Sequence, residues 1–107
     1  RPLRLCTSGS YNLCPTRAAH GLARDGGGFA EFPVVEERMA RRLPDGLTAI
    51  QGALVEPMSV GVHAVKRTGA AAGSWVAVHG LGPIGLMLCA CVADAGGRPE
   101  VVGGRAE

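Results

Sequence analysis

A glycine-rich turn between two apolar segments constrains the fold of this chain more than any other feature. The turn is Gly80-Leu-Gly-Pro-Ile-Gly85, which follows Trp75-Val-Ala-Val78 and precedes the apolar stretch 84–95. Four consecutive apolar residues predict a short strand buried on both faces, as in a parallel sheet. The apolar stretch predicts a helix that ends at Gly96-Gly97. This order of strand, turn and helix predicts one unit of an α/β fold.

Each of the three glycines has a physical reason to be glycine if the turn binds a dinucleotide. Gly80 allows the tight turn, Gly82 lets the backbone approach a pyrophosphate, and Gly85 lets helix and strand pack closely. The N–H groups at the start of the helix, with its positive end, would hold the anion. A tight turn without a ligand is the alternative. The flanking strand and helix favour a binding loop, which Pro83 and Ile84 complete.

The residues after this helix bear on which dinucleotide would bind. An acidic residue roughly twenty positions on, at the end of the second strand, usually bonds the ribose hydroxyls. Glu100 has that separation, but it precedes the weak strand Val101-Val102 instead of following it. The strand leads into Gly103-Gly-Arg105, so Arg105 would be available to a 2′-phosphate, which favours NADP. A truncated tail would explain the same pattern, and NAD and NADP both stay open.

Turn signals divide the first half of the chain. Asp25-Gly-Gly-Gly28 and Leu43-Pro-Asp-Gly46 each predict a turn. Between them, Phe29-Ala-Glu-Phe-Pro-Val-Val35 predicts an extended strand, in which Pro33 lacks a donor and favours a sheet edge.

Two helices are predicted between this half and the glycine turn. Thr48 is placed to cap a helix that runs to about Leu54. Met58–Val65 has apolar residues at the i, i+4 and i+7 spacing of a helix with one buried face. Gly61 interrupts this second helix at a cost of roughly 1 kcal/mol relative to alanine.

Charge and hydropathy exclude two classes of partner. The net charge is only +2, and the nearest basic cluster, Arg38, Arg41 and Arg42, lies beside Glu36 and Glu37, so we predict no nucleic-acid binding. Residues 68–93 form a stretch without Asp, Glu, Lys or Arg that is long enough to span a bilayer. Its glycines, however, break the stretch into shorter elements. We therefore predict no membrane helix.

The expected compartment is the cytoplasm, because no basic start leads into an apolar secretory segment. The four cysteines are then expected to be reduced thiols or metal ligands. Cys89 and Cys91 lie two apart in a helical pattern and face different directions, so we expect them to be small core residues.

The length and composition predict an incomplete domain. Glycine supplies 17 of the 107 residues, and the only aromatic residues are Tyr11, Phe29, Phe32 and Trp75. Such a chain has little material for a core of its own. Because it also begins at Arg1 instead of methionine, we expect it to be a piece of a longer protein.

Six segments together resemble one protein family. They are Tyr11-Asn-Leu-Cys14, Asp25-Gly-Gly-Gly-Phe-Ala-Glu-Phe32, Leu43-Pro-Asp-Gly46, Gly52-Ala-Leu-Val-Glu-Pro-Met-Ser-Val60, His63-Ala-Val-Lys66 and Gly80-Leu-Gly-Pro-Ile-Gly-Leu86. Their order and spacing resemble zinc-dependent medium-chain alcohol dehydrogenases, in particular the butanediol and sorbitol (polyol) dehydrogenase branch. The resemblance covers nearly the whole chain.

This resemblance implies an α/β fragment that joins two domains. Residues 1–56 would close a GroES-like, β-rich catalytic domain, and residues 57–107 would begin a Rossmann-type doubly wound domain. The whole enzyme would transfer a hydride between a secondary alcohol or polyol and NAD(P), with zinc polarising the substrate oxygen, and would be a homo-oligomer. The 107 residues alone are expected neither to catalyse nor to fold stably.

The resemblance also implies roles for individual residues. Glu56 matches the glutamate at the catalytic zinc in this branch, as a ligand or bonded to its water, and a carboxylate oxygen is a sound zinc ligand. The alternative for Glu56 is a helix-end glutamate paired with an arginine. Val60 would face the nicotinamide side of the cleft. The family's catalytic cysteine and histidine would come from upstream sequence, and His20, His63 and His79 do not match them. Packing or turn roles are expected for His63 and His79.

A structural zinc site is implied less completely. Family members often hold this zinc with four cysteines, and Cys6 and Cys14, with seven residues between them, match the third and fourth. Leu3 stands at the second position and cannot bind zinc. Two free thiols are the alternative. For the whole protein, the alternatives are a zinc-independent reductase of the same superfamily and a non-catalytic, truncated nucleotide-binding remnant.

Overall fold

The computed structural model describes residues 4–22 and 26–103, which divide into two compact units after Arg42. In the first unit, helix α1 spans Arg4–Thr7, and short 3-10 turns span Tyr11–Leu13 and Glu37–Met39. Asp25 of the predicted turn lies outside the described residues.

The strand predicted over 29–35 is wrong, because these residues are irregular and bent. Phe29 and Phe32 are both largely exposed, and no strand in the described part of this unit is available to pair with the segment. A strand needs a hydrogen-bonded partner, and Pro33 removes one of the donors that such a partner would use.

The second unit opens with the predicted turn and capped helix. The N–H of Leu47 donates to the Pro44 carbonyl at 3.2 Å, and Gly46 has a φ of +92°. Thr48 then forms a capping box with Gln51, in which each side chain bonds the backbone N–H of the other. Helix α2 spans Ala49–Ala53, which confirms Thr48 as the cap.

Helix α3 spans Val55–Thr68 and extends beyond the predicted segment at both ends. Gly61 is buried where α3 crosses the next helix, α4, which spans Pro83–Asp94. A Cβ built on Gly61 would lie 2.9 Å from Cys91 Sγ and 3.3 Å from both Leu88 Cα and the Met87 carbonyl oxygen. The glycine that weakens the helix locally therefore lets the two helices approach closely.

Helix α4 connects two parallel strands. Strand β1 spans Trp75–His79 and strand β2 spans Arg98–Val102, paired with Trp75 opposite Arg98 and His79 opposite Val102. At the first of these pairs the Arg98 guanidinium lies 5.3 Å from the centre of the Trp75 ring, a cation–π contact. The order β1, α4, β2 confirms the predicted α/β class.

The core of this unit is small. Val78, Cys91 and Val92 are its buried apolar side chains among the described residues, and Trp75 is 69% exposed. Strand β1 is thus less buried than its apolar sequence predicts, because a two-stranded sheet carrying one crossover helix covers little of each face. Cys91 is a core residue as predicted. Within the described ranges no helix has both the length and the hydropathy to cross a bilayer.

The close approach of α3 and α4 generates a prediction for Gly61→Leu. The added side chain would force α3 away from Leu88 and Cys91. We expect this overpacking to lower the free energy of opening of α3 and α4 by about 1–3 kcal/mol, seen as lost amide protection. Hydrogen exchange measured by NMR tests this. The matched control is Ser59→Leu at an exposed position of the same helix, and equal loss in both variants would contradict a specific role for the crossing.

Candidate functional site

The glycine turn joins the ends of both strands to the start of α4. Gly80 follows β1 with a φ of +96°, a left-handed conformation that only glycine adopts readily. Its N–H donates to the carbonyl oxygen of Val102 at 3.2 Å, so the turn is bonded directly to the end of β2. This geometry gives Gly80 the role that the sequence predicted for it.

Gly85 is fixed as glycine by steric contact. A Cβ built on Gly85 would collide with the carbonyl oxygen of Gly80 and would lie 3.0 Å from its carbonyl carbon. Helix α4 therefore begins directly against the end of β1, as predicted. Even alanine at position 85 would force the turn to open.

Gly82 has the opposite environment. It is the N-cap of α4, in an extended conformation, and a Cβ built on it would have no other atom within 4 Å. Pro83 occupies the first helical position, where its missing N–H is not needed. The N–H groups of Gly82, Ile84 and Gly85 lie at the helix start, where no intrahelical partner exists. The open space beside Gly82, next to these donors, fits a bound phosphate group.

The described end of β2 carries no acidic residue. Glu100 lies opposite Ala77 in the middle of the strand, because β2 begins at Arg98, three residues before the predicted strand Val101-Val102. Val102 and Gly103 follow it. Arg105 lies outside the described residues, so its predicted contact with a 2′-phosphate stays a prediction.

His79 lies beside the glycine turn, a position that the sequence alone did not predict. It was assigned a packing or turn role because it closes an apolar strand. In the structure its imidazole is exposed beside Gly103, at the same edge as the glycine turn. Only the pairing register of β1 and β2 reveals this neighbour, and the register cannot be read from one strand.

Glu56 is the second residue of α3, and its carboxylate is exposed in the first turn. Negative charge is favoured there by the helix dipole. Within residues 4–22 and 26–103 its side chain makes no ion pair or hydrogen bond, so the alternative pairing with an arginine gains no support. Val60 lies one turn later on the same side of α3 and is 46% exposed.

Cys6 and Cys14 are brought together in the first unit. Cys14 follows the 3-10 turn Tyr11–Leu13 and is 7% exposed, whereas Cys6 lies on α1 and is exposed. Hydrogen bonds from the Thr16 side chain and backbone lower the pKa of the Cys14 thiol against the effect of burial, and the Cys6 thiol lowers it further. The Cys14 Sγ lies 3.3 Å from Thr16 Oγ1.

Neither candidate metal site is complete in the described part of the chain. No group of three or more histidine, cysteine, aspartate or glutamate side chains there is arranged to hold a metal ion. Leu3 lies outside the described residues. The structure therefore brings two sulfur ligands together at Cys6 and Cys14, and it offers one carboxylate at Glu56.

A cavity lies away from the glycine turn. It is a groove of about 440 Å³ between α3 and α4, lined mainly by apolar residues that include Met58, Val62 and Cys91. No predicted site residue lines it. Its position at the helix crossing indicates an incompletely covered core, and we do not assign it a ligand.

Several known proteins are similar in sequence to this chain. D-xylulose reductase A of Aspergillus niger is 41% identical over 97 residues, which cover 91% of this chain and 27% of that protein. The (R,R)-butanediol dehydrogenase of Bacillus subtilis is 46% identical over 88 residues, or 82% of this chain and 25% of that protein. The sorbitol dehydrogenase of Bacillus subtilis is 36% identical over 97 residues, which cover 91% of this chain and 28% of that protein. No family model matches the chain. It spans about a quarter of the length of these relatives.

The contrast between Gly82 and Gly85 generates a second prediction. We expect Gly82→Ala to leave the amide protection of β1 and α4 unchanged, because its Cβ meets open space, but to weaken NADH and NADPH binding by blocking the phosphate. Gly85→Ala is expected to lose both protection and binding, because it collides with Gly80. Hydrogen exchange and cofactor fluorescence measure the two effects. Unchanged binding in Gly82→Ala would contradict the assigned phosphate site.

Proposed function

Because this chain belongs to the butanediol and sorbitol dehydrogenase branch of the medium-chain alcohol dehydrogenases, we propose that it is part of an NAD(P)-linked oxidoreductase. The resemblance seen in its sequence motifs is confirmed by these relatives. The proposed reaction is hydride transfer between a secondary alcohol or polyol and the nicotinamide. The observation that carries the cofactor part of this proposal is the glycine turn, with its open Gly82 and its tightly packed Gly85.

The described residues would act mainly by holding and orienting the cofactor. The start of α4 presents the N–H groups of Gly82, Ile84 and Gly85 to the pyrophosphate, and Pro83 sets the direction of the first turn. The hydrogen bond from Gly80 to Val102 keeps this cradle fixed to the sheet. A cofactor anchored there has its adenosine half near the ends of β1 and β2.

Glu56 and Val60 would lie at the nicotinamide half of the cofactor, where the hydride is transferred. We propose Glu56 as a carboxylate at the catalytic zinc, either as ligand or through bound water, with Val60 bordering the nicotinamide. When bound, zinc polarises the alcohol oxygen and the nicotinamide takes up the hydride. The exposed carboxylate of Glu56, which forms no ion pair with any residue that the structure describes, supports this role. The other ligands would come from outside the described residues.

Cys6 and Cys14 would be two ligands of a structural zinc. Thiolate is the form that binds metal, and the hydrogen bonds of Thr16 favour it at Cys14. A zinc site of this kind usually has four ligands, so two more would be required. The cofactors of the proposed enzyme are therefore zinc and either NAD or NADP.

We further propose that the chain spans a domain junction. Residues 1–56 would close a GroES-like catalytic domain, and residues 57–107 would open a Rossmann-type domain, for which the parallel β1-α4-β2 unit is a fitting start. The compact units divide after Arg42, so the boundary at residue 56 stays a prediction. The homo-oligomer and the cytoplasmic location also stay predictions.

A chimaera tests the enzymatic proposal. The matched segment of the Bacillus subtilis (R,R)-butanediol dehydrogenase is replaced by this chain, and butanediol oxidation and zinc content are measured. We expect an active, zinc-containing protein. Glu56→Gln is expected to reduce activity or zinc affinity about 10- to 100-fold, as loss of a group at a metal site does. Glu100→Gln, an exposed glutamate on β2, is the control.

Each other outcome of this experiment identifies a different protein. An active chimaera without zinc, unaffected by Glu56→Gln, would establish the zinc-independent reductase. An inactive chimaera that binds neither NADH nor NADPH would favour a non-catalytic remnant.

A further inference from the structure

His79 lies where the adenosine end of a dinucleotide would bind. It is the last residue of β1, immediately before Gly80, and it pairs with Val102 at the end of β2. A Cβ built on the next residue, Gly103, would lie 3.4 Å from His79 Nε2, 3.7 Å from Cδ2 and 3.8 Å from Cε1. The imidazole therefore lies over the backbone just beyond β2, with Nε2 as its nearest atom.

This position has a defined chemistry in a dinucleotide-binding unit. An acidic side chain at the end of the second strand accepts hydrogen bonds from the ribose hydroxyls and repels a 2′-phosphate. Here Val102 and Gly103 supply no carboxylate, and Glu100 lies inside the strand opposite Ala77. Gly103 has a φ of +87° and no side chain to fill the space beside the imidazole. The place usually taken by the acid is therefore next to a nitrogen donor.

The imidazole of His79 is also uncommitted. It is exposed, and across residues 4–22 and 26–103 it makes no hydrogen bond or ion pair. A neutral imidazole donates one hydrogen bond and a protonated one donates two. A phosphate is the stronger acceptor for it than a ribose hydroxyl, because the bond is then assisted by charge.

We propose that His79 is a specificity residue, which binds the 2′-phosphate of NADP(H) and so favours it over NAD(H). The proposal rests on the proposed function, because it assumes a dinucleotide held by the glycine turn. It does not depend on Arg105, whose predicted role concerns the same phosphate.

The test is binding of NADPH and NADH, followed by cofactor fluorescence, in the chimaera with the Bacillus subtilis (R,R)-butanediol dehydrogenase described above. A ligand that binds only the folded protein stabilises it, and the stabilisation grows with ligand concentration. The titrations therefore extend to high cofactor concentration. Displacement by 2′,5′-ADP and by ADP provides a readout that involves no nicotinamide. The variants are His79→Phe, which keeps an aromatic ring, and His79→Lys, which keeps a donor. His63→Phe, at an exposed histidine of α3, is the matched control.

The expected result is a loss specific to the phosphate. His79→Phe should weaken NADPH and 2′,5′-ADP binding about tenfold, the size of one charge-assisted hydrogen bond, while NADH and ADP change less than about twofold. His79→Lys should retain the preference for NADPH, and His63→Phe should behave as the wild type. The His79→Phe effect should persist in an Arg105→Ala background.

The failures are distinguishable. Equal weakening of NADPH and NADH in His79→Phe, or no weakening of either, would overturn the role of His79 while leaving the dinucleotide site standing. So would NADH binding by the wild type without a preference for NADPH. Absence of binding by either cofactor would overturn the proposed function, and this inference with it.

Discussion

The rest of the second unit depends on the absence of a side chain at Gly85, where a Cβ would collide with the carbonyl oxygen of Gly80. Because no Cβ fits at position 85, α4 can start directly where β1 ends, and its first N–H groups stand at the sheet edge. The same turn places the N–H of Gly80 opposite the Val102 carbonyl, so the return of the chain through β2 is tied to the turn. A larger residue at position 85 would separate strand, helix and binding loop together.

Local signals in the sequence predicted most of this unit. The capping pair Thr48 and Gln51, the apolar spacing in α3 and the glycines around α4 each act over a few residues, and each gave the element that forms. The prediction failed where a partner was needed. Phe29–Val35 has strand-forming residues, but pairing requires a second strand that lies elsewhere in the sequence or outside it.

The candidate site divides in the same way. Gly80, Gly82 and Gly85 could be assigned from sequence because their roles depend on backbone conformation within one turn. The position of His79 depends on the register between two strands that are separated by a helix, and no pattern in either strand specifies it. Glu56 and the two cysteines are intermediate cases. The resemblance proposed their roles and the structure gives their surroundings, but no described group of three or more metal-ligating side chains includes them.

The cation–π contact between Trp75 and Arg98 fixes the opposite end of the sheet from the glycine turn. Trp75 is the single tryptophan of the chain, and it lies four strand positions from His79, roughly 13 Å along an extended backbone. Its emission therefore reports whether β1 and β2 are paired, and Trp75 lies too far from the glycine turn to contact a phosphate bound there. The protein thus contains its own optical probe of sheet formation, separate from the place where a cofactor would be held.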